Sequence, residues 1–406
     1  MGLRDVPKLR FPGFTDAWEQ HKCGDVLIER NIQHPQSKDY PLVSFTVENG
    51  VTPKTDRYER EQLVKGDKAA KKYKETRFDD IVYNPANLKF GAIARNKFGN
   101  AVFSPIYITF EVNKDFAIPS FIEMFVTRNS FIQNALQYQQ GTVYERMAVN
   151  TDDFANLEIM LPSKEEQYQI GELFDSIDKT ITLHQRKCDD LKKMKKGMLQ
   201  KMFPKEGENA PEIRFPGFIG AWEQRKLGDV FLQTSNFVNP EQGDIELWSL
   251  TVDDGLTPKT DRYERGFLVK KEDNFKLVRP GDIVYNPMNM TLGAVGYNEM
   301  SKTVAVSGYY TTMVTKEGYD AGYIKTWLKS PQAILLYKSY ATGTLIEKQR
   351  VQFPTLCSIP TLFPSAKEQE QIGNFFSELD KTITLHQRKC DEFKNMKQAL
   401  LQQMFV

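Results

Sequence analysis

Asp178-Lys179-Thr180-Ile181-Thr182-Leu183-His184-Gln185-Arg186-Lys187-Cys188 recurs residue for residue as Asp380 to Cys390. Each copy lies within a longer pattern. Ile170, Phe174, Ile177, Ile181, His184, Cys188, Leu191, Lys195, Met198 and Met202 follow one another in steps of four and three. The second copy supplies Ile372, Phe376, Leu379, Ile383, His386, Cys390, Phe393, Lys397, Leu400 and Met404. That alternation keeps one stripe on one face of an α-helix and is the seam of a coiled coil. Ser163-x-x-Glu166 and Ser365-x-x-Glu368 have the form of a capping box and predict where each helix starts. Each helix is expected to run about 40 residues, roughly 60 Å at 1.5 Å per residue.

The duplication extends outward. Arg10-Phe11-Pro12-Gly13-Phe14 with Ala17-Trp18-Glu19-Gln20 recurs as Arg214 to Phe218 with Ala221 to Gln224. Gly50 to Arg60 recurs as Gly255 to Arg265, and Ile81-Val82-Tyr83-Asn84-Pro85 as Ile283 to Pro287. The offset is the length of a domain and far exceeds a solenoid repeat. At 406 residues the chain holds two such units, each large enough for its own core.

The expected class is therefore α+β: two tandem homologous α/β domains, with two long helices forming an intramolecular antiparallel coiled coil of pseudo-two-fold symmetry. The boundaries read as a first domain over 1–161, a long helix over 162–203, a linker over 204–212, a second domain over 213–362 and a second helix over 363–406. Leu42–Val47 and Ala101–Phe110 read as strands, and Pro119–Tyr138 as one helix. The seam midpoints fall near His184 and His386, which predicts that these two histidines pair as a polar layer.

No apolar run approaches the roughly 18 residues of a membrane span, and Met1–Arg10 lacks the apolar core of a signal peptide. The four cysteines form no dense framework, which suits reduced thiols and a cytoplasmic protein. A net charge of +1 advertises no global affinity for nucleic acid. The basic residues are nonetheless clustered, in Lys65–Arg77 and in Lys192–Lys201. Local stripes of this kind, more than net charge, set affinity for phosphate.

In order and duplication these motifs resemble the specificity subunit of Type I restriction–modification systems, over essentially the whole chain. Leu161-Pro162-Ser163 with Glu166-Gln167, and Phe363-Pro364-Ser365 with Glu368-Gln369, match the hydrophobic-Pro entry and Glu-Gln pair that introduce that family's conserved helices. Trp18-Glu19, Trp222-Glu223 and Leu227-Gly228-Asp229 also fit, as do Gly141-Thr142 and Gly343-Thr344; Cys23 stands where the second copy has Leu227. The resemblance implies that each domain recognises half of a bipartite target on double-stranded DNA and that the helices set the gap between the halves. It further implies two modification (methyltransferase) subunits and restriction (translocase/nuclease) subunits as partners. S-adenosylmethionine, ATP and Mg are then expected on those partners and no cofactor on this chain.

Several segments are candidates for contacting DNA. Lys54, Arg57, Tyr58 and Arg60, with Lys259, Arg262, Tyr263 and Arg265, offer guanidinium and ammonium groups for bases or phosphate and rings for sugar. The loops after Gly141 and Gly343 bring Thr142, Tyr144 and Arg146, and Thr344, Lys348 and Arg350. Lys72 and Lys74 are candidates for gripping phosphate; Asn84, Asn87, Asn286 and Asn289 lie at the repeated Asn-Pro turn. Each segment equally fits a solvated scaffold loop, and positions that differ between the copies are the better candidates for reading different bases. Ile-Val-Tyr-Asn-Pro lacks the second Pro and the aromatic of an amino-methyltransferase motif, and no Gly-rich cofactor loop follows a nearby strand. His184 with Cys188 and His386 with Cys390 have the spacing of metal ligands but read first as core layers, so no metal is expected. The rival readings are a stand-alone modification enzyme and a coiled-coil scaffold that binds only protein.

Overall fold

The computed structural model describes residues 6–47, 49–53, 72–141, 147–239, 245–259, 275–343 and 349–405. It divides into two units, Met1–Gln185 with Arg388–Val406, and Arg186–Gln387. Each unit thus takes half of each long helix.

The two units repeat one topology. In the first, a four-stranded antiparallel sheet runs in the order Leu27–Glu29, Ile108–Val112, Ile81–Tyr83, Ile93–Arg95. Gln33–Pro35, Lys72–Thr76 and Ala101–Phe103 form a three-stranded sheet, and Val43–Thr46 pairs with Gly50–Pro53 as a hairpin. Glu19–Lys22 pairs with Glu158–Leu161 and leads into the long helix. The second unit has the same orders, built on Phe231–Thr234, Thr311–Thr315, Ile283–Tyr285 and Val295–Tyr297, on Phe237–Val238, Phe275–Val278 and Val304–Ser307, and on the hairpin Trp248–Thr251 with Gly255–Pro258.

Period-two alternation explains why Ile-Val-Tyr is wholly apolar. Ile81 and Tyr83 face the main core, where Tyr83 lies between Phe110 and Phe154 with ring centroids at 5.9 and 4.7 Å. Val82 faces the opposite way, into a small second core with Val43, Val51, Ala101 and Phe103. Ile283 and Tyr285 repeat the first role and Val284 the second, among Leu250, Val278 and Val304. The strand is the wall between two cores, so all three of its side chains are buried.

Two local expectations are corrected. Pro119–Tyr138 is two helices, Pro119–Val126 and Asn129–Leu136. Thr127 Oγ1 donates to the Glu123 carbonyl, and Arg128 is extended at φ −65°, ψ 140°. The break lays the Arg128 guanidinium over the rings of Phe125 and Phe405, at 4.2 and 4.9 Å, and burial there pushes its pKa down to about 10. Ala101–Phe110 is likewise two strands in different sheets, separated by a turn through Pro105, which has no N–H to give a ladder.

The long helices span Lys164–Lys201 and Ala366–Gln403. In the first unit Asp178 meets Lys397 at 2.6 Å, Cys390 Sγ meets Gln185 Oε1 at 3.6 Å, and Phe174 lies 6.1 Å from Phe405. In the second, Lys195 meets Asp380 at 2.5 Å, and Cys188 Sγ meets Gln387 Oε1 at 3.7 Å. Residue numbers rise on one helix as they fall on the other, so the halves within each unit run antiparallel. Among the seam positions Ile170, Phe174, Ile177, Cys188, Leu191, Met202, Ile372, Phe376, Leu379, Cys390 and Met404 are buried. In the first unit His184 stacks on Phe393, at 6.0 Å and 19° between planes.

The Glu-Gln pairs fasten the helices to the domains. Glu166 takes the fork of Arg10 at 2.8 and 2.6 Å, and Glu368 that of Arg214 at 2.7 and 2.8 Å. Gln167 Oε1 accepts from the Ile118 N–H and its amide donates to the carbonyls of Phe116 and Pro162; Gln369 accepts from the Asp320 N–H and donates to Pro364. Only half of each expected capping box forms. The N–H of Glu166 or Glu368 reaches the serine hydroxyl at 3.4 Å, while the carboxylate serves the arginine.

Candidate nucleic-acid interface

The repeated Asn-Pro turn is a hub that joins three of the singled-out segments. Asn84 Oδ1 accepts from the Ala86 N–H at 3.1 Å, and the Asn84 N–H donates to the Ala92 carbonyl at 2.9 Å. This Asx turn leads into a short 3-10 turn, Leu88–Phe90, that ends at Gly91 with φ +81°. The tip of the Val43–Pro53 hairpin lies against this segment: a Cβ on Gly91 would stand 3.7 Å from Val47 Cγ1, and one on Gly50 3.1 Å from the Ala94 Cβ. The loop after Gly141 is pinned to the same turn. Val149 N–H donates to the Pro85 carbonyl at 3.4 Å, Tyr83 Oη donates to the Val149 carbonyl at 3.1 Å, and Gln140 and Ala148 bridge the base of the loop.

The second unit repeats the hub. Asn286 Oδ1 accepts from the Met288 N–H at 3.0 Å, Met290–Leu292 forms the 3-10 turn, and Gly293 has φ +91°. Val351 N–H donates to the Pro287 carbonyl at 2.9 Å, while Thr342 and Arg350 bridge the base of the second loop.

The candidates separate in this frame. Asn84 is buried and Asn286 half-buried, both spent on the turn, whereas Asn87 and Asn289 face solvent. Lys72 is exposed at the start of its strand. Lys74 is corrected: further along the same strand it is buried, and its ammonium donates to Glu29 at 2.9 Å and Asn31 at 3.1 Å, so its charge is already met within the fold. Lys259 and Arg350 are exposed. Lys54, Arg57, Tyr58, Arg60, Thr142, Tyr144, Arg146, Arg262, Tyr263, Arg265, Thr344 and Lys348 lie outside the described residues.

The hub also presents residues that sequence reasoning passed over. Phe90 is 64% exposed with Lys89 Nζ 5.1 Å from its ring centroid, and Leu292 is 60% and Met288 50% exposed. Large apolar groups held in water on a repeated backbone, and different in the two copies, suit contacts with sugars and base edges. Their signal was available: they are the positions that differ beside the invariant Asn-Pro.

Electrostatics anchors the first hub. Arg95, one strand away, is nearly buried and reaches Glu123 at 2.9 Å, Asp79 at 3.1 Å and Asp175 of the long helix at 2.6 Å. Beneath it Asp80 accepts from Arg30 at 2.9 and 3.2 Å and from the Arg77 N–H; burial nevertheless pushes its carboxyl above the usual range. The second copy has Tyr297 in place of Arg95, and burial raises the Asp282 carboxyl in the same way.

Residues 17–193 match the family described as the Type I restriction modification DNA specificity domain. A putative type I restriction enzyme MjaX specificity subunit from Methanocaldococcus jannaschii is 27% identical over 120 residues, 29% of this chain; the match spans 28% of that relative's length. Among solved structures, the S subunit of a Type-I restriction–modification system from M. genitalium superposes over 99% of both chains with a TM-score of 0.64 at 14% identity. A chain from a study of complex assembly and conformational transition in the type I R-M system covers 96% of this chain and 97% of its own, with a TM-score of 0.50 at 18% identity. These structural likenesses extend the shared fold to the second unit. Among the described residues, no helix is long and apolar enough to cross a membrane.

Proposed function

From the match of residues 17–193 to the Type I restriction modification DNA specificity domain, we propose that this chain is the subunit that reads a bipartite DNA target for such a system. Each unit recognises one half-site. The long helices fix the spacing between half-sites, and the chain itself performs no catalysis. Two modification subunits and the restriction subunits assemble with it; they carry the adenine methylation and the ATP-driven cleavage, with S-adenosylmethionine, ATP and Mg. The observation that carries the reading is the repeated hub: one backbone presents Lys89 and Phe90 in one copy and Met288 and Leu292 in the other. A shared frame with different exposed side chains is what two unlike half-sites require.

The test is a selection of bound duplexes from a randomised library, using the full chain with its modification subunits. Phe90→Ala with Lys89→Ala is expected to relax one half-site by about 1–3 kcal/mol of discrimination and leave the other unchanged. Loss spread equally over both half-sites, or over cognate and random DNA alike, would remove the hub from the reading surface.

A further inference from the structure

In the second unit an open groove of about 570 Å³ runs between the end of the first long helix and the helix Pro331–Tyr340. Its floor is apolar: Leu199, Pro331, Ile334 and Leu335, the last 61% exposed. Its rim is basic. Lys192 and Lys196 stand one helical turn apart on one wall, with Lys329 and Lys338 on the other. None of these four makes an ion pair among the described residues, whereas Lys195 beside them is held by Asp380. Burial, with Lys195 and Lys325 nearby, pushes the Lys329 amine below its ordinary range. The Lys329 ammonium also lies towards Gly255, near Asp254 and Asp380, while Lys192, Lys196 and Lys338 leave the exposed apolar floor with a basic rim that suits a negative, partly apolar surface.

The first copy lacks this combination. Where the second has Lys329, Leu335, Lys338 and Lys196, it has Thr127, Gln133, Leu136 and Gln398. The first unit keeps Lys394, Leu401 and Ile132 at the positions equivalent to Lys192, Leu199 and Ile334 but loses these four, so the occupant is expected to prefer the second unit.

We propose that this groove docks one acidic amphipathic helix of a protein partner. Apolar side chains on one stripe of that helix cover Ile334 and Leu335, and Asp or Glu residues flanking the stripe meet the lysines on both walls. The apolar floor decides against a DNA backbone, because phosphates would meet the rim but leave Leu335 without a partner. The proposal rests on reading the chain as one subunit of a larger assembly, and it adds a contact that prefers the second unit.

Hydrogen exchange on the full chain, alone and assembled with its purified modification and restriction subunits in the absence of DNA, tests it. Protection is expected to rise over residues 192–199 and 331–340, with no matching rise over 129–136. Leu335→Asp, and separately Lys192→Glu with Lys196→Glu, should each weaken one subunit at least tenfold while the free chain keeps its DNA binding. The charge reversal lies on an exposed helix face and so guards against a folding defect in the Leu335 variant. Protection that appears only on adding duplex makes the groove a nucleic-acid surface. Protection that grows with the concentration of the chain alone, with a doubled mass, makes the occupant a second copy. Either outcome, or variants that assemble as the parent does, overturns the proposal. Loss of DNA binding by the parent assembly would instead overturn the DNA-reading function and leave the groove result standing.

Discussion

Gly171 and Gly373 lie on the long helices, each packed against a short helix of its own unit. A Cβ on Gly171 would stand 2.1 Å from Ser120 Oγ, and one on Gly373 2.4 Å from Asp320 Oδ1 and 2.6 Å from the Tyr323 backbone nitrogen. A hydroxyl can rotate away but a backbone nitrogen cannot. Gly373→Ala is therefore expected to lose about 1–3 kcal/mol in urea unfolding, and Gly171→Ala less. Equal losses would show that the Ser120 side is equally rigid. The asparagines of the hub divide in the same spirit. Asn84→Ala removes a buried turn acceptor and should cost about 1 kcal/mol of stability. Asn87→Ala should leave the unfolding midpoint in place and lower affinity for DNA. A shared effect on stability would return Asn87 to the scaffold. The hub asparagines were legible in the sequence as a pair of repeats. Their division was not, because only the fold shows which amide is consumed by its own turn.

At the scale of the element, the seam was legible because a four-three repeat states which face of a helix is buried. It does not state how polar seam residues are satisfied. Lys195 and Lys397 sit at seam positions and reach Asp380 and Asp178, and each cysteine layer is completed by a glutamine of the facing helix half. Asp178→Lys should destabilise the first unit through Lys397, and Asp178→Lys with Lys397→Asp should recover most of the loss. The pair is partly exposed, so the coupling is expected near about 0.5–1 kcal/mol. A double-mutant cycle with no coupling would show that salt and solvent already screen it. The single helix expected over Pro119–Tyr138 failed for a related reason: propensity carries a helix through Thr127 and Arg128, whereas the fold breaks it there and sets Arg128 over Phe405, far along the chain.

For the whole molecule, the helices are expected to act as a ruler. Equal insertions in both long helices should change the spacer in the selected DNA and leave both half-site sequences intact. Altered half-sites with an unchanged spacer would contradict the ruler. Salt dependence separates gripping from folding: Lys72→Ala should weaken binding to every duplex and flatten the salt slope by about one ion. Lys74→Ala should instead lower stability, because it leaves the Glu29 carboxylate without its cation.

Periodicity and duplication alone determined that there are two copies of one domain, that each carries a long seam-bearing helix, and that an Asn-Pro turn and a Gly-Thr loop recur in both. These are local properties, written in the spacing of apolar residues and in turn chemistry. The antiparallel pairing expected from the seams already carries the end of the second helix to the first domain; only the tertiary structure decided that Met404 and Phe405 enter the core there, beside Trp18, Phe121 and Phe174. Helical spacing names the buried face but not its partner, and that partner lies more than two hundred residues away in the chain. The same limit hid the Glu-Gln pairs as clamps, Lys74 as an internal cation and Phe90 as an exposed ring. Each of those roles is set by a neighbour that the chain brings close only on folding.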